Sequence, residues 1–111
     1  MFFGKATTAG HVKPAEVQDM LANHVDFVLL DVRSREEHLS GHIPGSTLLP
    51  LDQLASGAGK ILGNPEKKIV VYCQSGARSA QAAKVLGKLG YRDVQDLGGI
   101  MGWPFQIVRG R

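Results

Sequence analysis

The feature that most constrains the fold is a short apolar run, residues 69–72, that ends at a cysteine and is followed at once by a helical pattern. Three β-branched residues and a tyrosine in this run favour a buried strand. Residues 79–89 then predict a helix that ends at Gly90, with an inward face made of Ala82, Ala83, Val85, Leu86 and Leu89. A strand that leads directly into a helix is typical of a parallel α/β sheet.

Strand and helix patterns alternate along the rest of the chain. Strands are predicted at 27–32, 46–49 and 94–97, and helices at 14–23, from the capping box of Ser34 and Glu37 to about Gly41, and weakly at 51–55. The segment Gly57-Ala58-Gly59 is predicted to loosen the chain, and Gly98-Gly99 to form a turn. Trp103-Pro104-Phe105 is predicted to close the core. The predicted fold is one α/β domain over residues 1–111, with three layers, a mainly parallel central sheet and helices on both faces.

Composition limits the class of protein. The chain has 111 residues, of which 43% are hydrophobic and 21% charged, as in an ordinary soluble domain. Its apolar runs are far shorter than the roughly 20 residues that span a bilayer, and its first residues lack the pattern of a secretory signal. One cysteine forms no intrachain disulfide, so a reducing compartment, the cytoplasm, is predicted, with no membrane partner.

Charge is distributed unevenly. Residues 1–55 contain four Lys or Arg and seven Asp or Glu, whereas residues 56–111 contain nine and three. The basic half includes Cys73, and its field would attract small anions. Most of these cations, such as Lys84 and Lys88, are interpreted as solvated side chains on helix faces. No arginine-rich tract with interleaved aromatic residues is present, so nucleic acid is not predicted as a partner.

Cys73 has a structural and a functional interpretation. A lone cysteine often packs as a small buried hydrophobe. Here the four following residues include no large apolar side chain, and a helix starts directly after them. Backbone N–H groups and the helix dipole at such a position stabilise an anion and favour a thiolate nucleophile. Gly76 is expected to supply a positive φ or room for close backbone approach.

Three ordered motifs resemble those of the rhodanese homology domain. The first is Leu30-Asp31-Val32-Arg33 with Glu37 and Gly41-His42-Ile43-Pro44-Gly45-Ser46, the second is Cys73-Gln74-Ser75-Gly76-Ala77-Arg78-Ser79, and the third is Leu97-Gly98-Gly99 with Trp103. His38 stands where the family more often has an aromatic residue. The resemblance implies a sulfurtransferase that carries sulfur as a cysteine persulfide.

The resemblance also implies roles for the loop. Cys73 would attack the outer sulfur of thiosulfate or of another persulfide donor, and cyanide or a thiol would then remove that sulfur. A protein could serve as donor or acceptor. The substrate-binding residues would be Gln74, Ser75, Gly76, Ala77, Arg78 and Ser79, whose N–H groups would hold the anionic persulfide. The guanidinium of Arg78 would bind a thiosulfonate, or would form a structural ion pair with Asp31 or Glu37.

The supporting residues are assigned more modest roles. Ser79 is either the N-cap of the helix or a hydrogen-bond donor to the sulfur. Asp31 and Arg33 are expected to brace the loop. His42 is interpreted as part of a fixed turn rather than as a proton carrier, because a thiolate that has already formed needs no base. The other histidines show no metal-ligand spacing with Cys73, so no metal or cofactor is predicted.

Two other classes compete with the sulfurtransferase. Cysteine-dependent phosphatases separate Cys and Arg by five residues, whereas four separate Cys73 from Arg78, and the smaller loop fits a sulfur atom better than a phosphoryl group. Arsenate reductases commonly need a second thiol, which this chain lacks. A regulatory or non-catalytic binding module of the same fold is the other alternative, although the intact Cys73, Gly76 and Arg78 argue against it.

Overall fold

A parallel sheet forms the centre of the molecule. The computed structural model describes residues 10–110. Its strands are β1 Gly10–His11, β2 Val28–Asp31, β3 Thr47–Leu48, β4 Lys68–Cys73 and β5 Asp93–Gly99, and its helices are α1 Pro14–Ala22, α2 Arg35–Ser40, α3 Leu54–Ile61 and α4 Ala77–Lys88. The strands pair in parallel in the order β1-β5-β4-β2-β3. The predicted mainly parallel α/β fold is confirmed.

Helices cover both faces of the sheet. Alternate residues of β4 point to opposite faces, as in any strand, so that Val71 and Cys73 face one side and Val70 and Tyr72 the other. The first side packs against buried residues of α3 and α4, which include Leu54, Ala58, Ala82, Ala83 and Leu86. The second side packs against Val17 of α1 together with Ile43 and Trp103. Within residues 10–110, no helix is both long and apolar enough to cross a membrane.

Three local predictions are wrong, and in the first case packing outweighs local preference. Helix α3 continues through Gly57 and Gly59, since it buries Leu54 and Ala58 against the sheet. Helix α4 begins at Ala77 rather than at residue 79. Gly98 and Gly99 belong to β5, where an irregularity pairs Tyr72 with Gly98 directly after pairing Val71 with Asp96.

Two side chains expected in the core lie at the surface, and one short strand was not predicted. Leu89 is 43% exposed because α4 has already ended at Lys88. Phe105 is 38% exposed and contacts Trp103 edge to face, whereas Trp103 itself is buried as expected. Strand β1 has two residues, too few to produce a pattern in the sequence.

Candidate active site

Cys73 ends β4 at the edge of the sheet where the parallel strands have their carboxyl ends. Its side chain is only 1% exposed. The loop 74–76 follows, and the N–H of Gly76 donates a hydrogen bond to Cys73 Sγ at 3.0 Å. Gly76 is the N-cap of α4 and has a φ of 111°, which confirms the predicted positive φ. The first turn of α4 therefore starts beside the sulfur, which lies at the positive end of the helix dipole.

Gly99 lets the end of β5 lie directly against this loop. A Cβ atom on residue 99 would lie 2.4 Å from the carbonyl oxygen of Gln74 and 2.7 Å from Cα of Ser75. The N–H of Met101 also donates a hydrogen bond to the Gln74 carbonyl at 3.3 Å. The sequence showed Gly99 only as part of a motif, because the contact joins segments that are far apart in the chain.

Ser79 supports the loop through a contact that differs from both predicted roles, the N-cap and the hydrogen-bond donor to the sulfur. It is buried in the first turn of α4, and its hydroxyl donates to the carbonyl oxygen of Gly76 at 3.0 Å. The N-cap assignment is wrong, because Gly76 occupies that position. Ser75 and Ala77 are exposed at the surface of the loop. Of the loop N–H groups 74–79, that of Gly76 is the one bonded to Sγ in the described structure.

Arg78 forms a two-point ion pair with Glu37. Its two terminal nitrogens lie 2.7 and 2.8 Å from the two carboxylate oxygens. The hydrogen bond from Arg78 is the main reason that the pKa of Glu37 falls to about 2. Glu37 also completes the predicted capping box, because it accepts from the Ser34 N–H at 2.9 Å. The pair thus joins α2 to the start of α4, and it engages both terminal nitrogens of the guanidinium group.

Asp31 and Arg33 form a buried pair behind the loop. Arg33 donates to the Asp31 carboxylate from Nε at 3.0 Å and from Nη2 at 2.8 Å. Its Nη1 donates to Oε1 of Gln74 at 3.1 Å, and its Nη2 to the carbonyl oxygen of Gly41 at 2.7 Å. Arg33 therefore braces the residue that follows Cys73, in agreement with the expected supporting role.

Asp31 is completely buried and is also the acceptor for two other elements. His38 of α2 donates from Nδ1 to Oδ2 at 2.9 Å, and Tyr72 of β4 donates from its hydroxyl at 3.1 Å. Burial raises the pKa of Asp31, but hydrogen bonds from Arg33 and His38 outweigh it and hold that pKa below its usual range. The pKa of Tyr72 is raised to about 12, mainly by burial and secondly by the negative charge of Asp31.

The two buried histidines stack on each other. The rings of His38 and His42 lie 3.7 Å apart with 13° between their planes. Nδ1 of His42 lies 2.8 Å from the carbonyl oxygen of His38, which accepts only, so this nitrogen carries a proton. The backbone of His42 bridges to Val108. These contacts agree with a fixed turn, and they place His42 with Asp31 on the side of the sheet opposite to Cys73. The role of His38 was not apparent from the sequence.

One cavity lies beside Arg78 and another beside Ser75 of the loop. One, of about 520 Å³, is lined by Arg78, by residues around the start of α2 and by the segment before α3: Val32, Arg33, Ser34, Arg35, Pro50, Leu51, Asp52 and Gln53. The other, of about 480 Å³, is lined by Pro14, Ser75, Leu97, Gly99, Met101 and Gly102. Among residues 10–110, no three His, Cys, Asp or Glu side chains lie close enough together to hold a metal ion.

Comparison with known proteins identifies this arrangement. The model of the family described as the rhodanese-like domain matches residues 13–104. The chain belongs to the rhodanese-like domain family. This rhodanese-like domain is 31% identical to the human single domain sulfurtransferase TSTD1, whose solved structure superimposes with a TM-score of 0.76 over 86% of this chain and 96% of that one. The resemblance seen in the three motifs is confirmed.

Curated relatives of this rhodanese-like domain include further sulfurtransferases. It is 38% identical over 84 residues to a sulfurtransferase of Allochromatium vinosum, a match that covers 75% of this chain and 77% of the relative. It is 34% identical over 104 residues to the probable adenylyltransferase/sulfurtransferase MoeZ of Mycobacterium tuberculosis. That match covers 93% of this chain but spans only 26% of MoeZ. These relatives share the rhodanese-like domain with this chain.

Proposed function

We propose that this single domain is a sulfurtransferase that carries sulfane sulfur on Cys73 as a persulfide. The observation that carries the proposal is the 3.0 Å hydrogen bond from Gly76 N–H to Cys73 Sγ at the start of α4. A donor aimed at the sulfur stabilises the thiolate before the reaction and the anionic persulfide after it. The donor would be thiosulfate or another small anionic persulfide.

The reaction needs two displacements. The Cys73 thiolate attacks the outer sulfur of thiosulfate, the S–S bond of thiosulfate breaks, and sulfite leaves with the bonding electrons. Cyanide or a thiolate then attacks the outer sulfur of the persulfide, and Cys73 leaves as a thiolate. The acceptor must come from outside the chain, because Cys73 is its only cysteine. A free thiol persists best in a reducing compartment, so the proposal places the reaction in the cytoplasm.

Within this proposal, Arg78 acts mainly by positioning. Both of its terminal nitrogens are engaged by Glu37, so the pair holds the first turn of α4 against α2 and keeps a positive charge near the sulfur. Arg33 holds the side chain of Gln74 in the same way. The loop between Cys73 and α4 is therefore braced from both ends. Such preorganisation reduces the rearrangement that the persulfide requires.

Mass spectrometry of the intact protein tests the proposal. Incubation with thiosulfate should add one sulfur atom, about 32 Da, at Cys73, and the loaded protein should convert cyanide to thiocyanate. Cys73→Ser should abolish both results while the circular dichroism spectrum stays unchanged. If the protein gains no sulfur but hydrolyses a phosphate ester, it is a phosphatase. If it does neither, it is a binding module.

A further inference from the structure

The helices on the two sides of the sheet carry opposite charges. Helices α3 and α4 contain four cations, Lys60, Arg78, Lys84 and Lys88, and no carboxylate. Helices α1 and α2 contain four carboxylates, Glu16, Asp19, Glu36 and Glu37, and one cation, Arg35. The excess of cations in the second half of the sequence therefore lies on one side of the sheet. We call the solvent side of α3 and α4 the basic face.

The lysines of this basic face have no carboxylate partners nearby. Within residues 10–110, no ion pair includes Lys60, Lys84 or Lys88. The surface ion pairs of Lys67 and Arg92, in contrast, lie where β4 and β5 begin, at the edge of the sheet opposite to Cys73. Local carboxylates therefore neutralise the far edge but leave the basic face positively charged.

The basic face is continuous with the active-site loop. Helix α4 starts at Ala77, and its solvent side consists of Ala77, Ala80, Gln81, Lys84 and Lys88. At 1.5 Å per residue, Lys84 and Lys88 lie about 10 and 16 Å along the helix from the loop. Apart from Arg78, which is paired with Glu37, the α4 side chains nearest to the loop on this side are small and uncharged, so a partner can approach the loop closely. Lys84 and Lys88 follow at a distance that a bound segment can reach.

The acceptor must also deliver its thiol to a buried sulfur. Cys73 is 1% exposed, so a flat surface cannot reach it and a protruding segment is required. The 520 Å³ cavity beside Arg78 lies between α2 and the segment before α3, and Arg35 at its wall has no ion-pair partner among residues 10–110. Asp52 and the already paired Arg78 also line this cavity, so the unpaired positive charge that an acidic segment would meet comes from Arg35 there and from Lys84 and Lys88 along α4.

We infer that the basic face docks an acidic, thiol-bearing protein segment that accepts the sulfur from Cys73. The inference rests on the proposed function and names its acceptor. The acceptor thiolate attacks the outer sulfur of the persulfide, the Cys73 sulfur leaves as a thiolate, and the acceptor carries the persulfide away. Helices α3 and α4 contain no aromatic residue for stacking on nucleic-acid bases, and Ile61 is their one exposed large apolar side chain, too little for a bilayer.

Two synthetic peptides of about 12 residues test the inference. Each peptide has one cysteine, and the first also has glutamates three to five positions after it. In an extended chain these glutamates lie about 10 to 17 Å from the cysteine, which matches the distance from the loop to Lys84 and Lys88. The second peptide has glutamine in place of each glutamate. Discharge of persulfide-loaded protein is followed by the loss of one sulfur mass. The acidic peptide should react about tenfold faster at low salt, and the advantage should shrink as salt is added.

Charge reversal on the protein supplies the control. Lys84→Glu combined with Lys88→Glu should remove the advantage of the acidic peptide, whereas Lys67→Glu combined with Arg92→Glu, the same change at the far edge, should keep it. Uncharged dithiothreitol should remove the sulfur at the same rate from all three proteins. If dithiothreitol removes no sulfur from any of them, the proposed function is wrong, rather than the docking surface. An unchanged peptide preference in the Lys84/Lys88 variant overturns the inference. So does tighter binding of a single-stranded oligonucleotide or of anionic vesicles than of the acidic peptide.

Discussion

Gly99 sets how closely β5 approaches the loop that carries Cys73. The atoms that a side chain at this position would meet are the backbone of Gln74 and Ser75, which cannot rotate away as the end of a flexible side chain can. A residue that carries no functional group therefore fixes the position of the residues that follow Cys73.

Gly99→Ala should displace the loop and slow sulfur loading. Its Cβ would lie 2.4 Å from the Gln74 oxygen, and a shift of about 1 Å near a reacting atom lowers a rate about a hundredfold. The rate of persulfide formation with thiosulfate, read by mass, measures the effect. Gly102→Ala is the matched control, because a Cβ at that position meets nothing within 4 Å. Equal rates for the two variants would show that the loop tolerates the displacement.

Between elements, the ion pair of Glu37 and Arg78 connects the first turns of α2 and α4. Both side chains are about one-third exposed, at 32% and 38%, so water weakens the pair and its contribution to stability is below about 1 kcal/mol. Its main effect is to fix the start of α4 relative to α2, and through that turn the Gly76 N–H that faces the sulfur.

Glu37→Gln should lower stability at neutral pH by less than about 1 kcal/mol, and the difference from the unchanged protein should vanish in acid. The pKa of Glu37 is about 2 in the folded protein and ordinarily 4.5. Its stabilising effect is therefore complete above pH 4.5 and is lost as the pH falls toward 2. Urea unfolding at several pH values measures it. Glu36→Gln, which removes a carboxylate at the exposed neighbouring position that belongs to no ion pair among residues 10–110, is the control at neutral pH and should not reproduce the loss.

The elements that the sequence predicted well are those whose signal is local. Strand β4 is an unbroken apolar run, and the capping box of Ser34 and Glu37 acts within one helical turn. Helix α3 was underestimated because two glycines oppose it locally, and only burial of Leu54 and Ala58 on the sheet outweighs them. In the candidate site, the sequence pattern was enough to predict that Cys73 lies at the end of a strand, directly before a helix. The contacts of His38 and Gly99 join distant segments and leave no local signal.

At the scale of the whole molecule, Asp31 is the point where the elements behind the candidate active site meet. It ends β2 and accepts hydrogen bonds from Arg33, from His38 of α2 and from Tyr72 of β4. The Arg33 that it holds reaches on to Gln74 in the loop. The edge of the sheet that carries the site is therefore held by a buried charged cluster as well as by apolar packing.

Asp31→Asn should destabilise the whole molecule by about 3 to 5 kcal/mol, because it leaves the guanidinium of Arg33, only 3% exposed, without its charged partner. The matched control is Asp26→Asn, which removes the same charge from an ion pair with Lys67 in which Asp26 is 88% exposed; it should cost less than about 1 kcal/mol. Equilibrium unfolding in urea measures both. Equal costs would show that the cluster contributes no more than a surface pair.

The loss of folding stability at low pH should depend on the same carboxylate, that of Asp31. Because hydrogen bonds hold the pKa of Asp31 below its ordinary value of 3.8, its contribution is complete above that pH and is lost as the pH falls through the lowered pKa. The unchanged protein should therefore lose stability below pH 3.8 more steeply than Asp31→Asn does. Parallel unfolding curves for the two proteins across this range would mean that Asp31 keeps its proton affinity on folding, and that the cluster does not stabilise its charge.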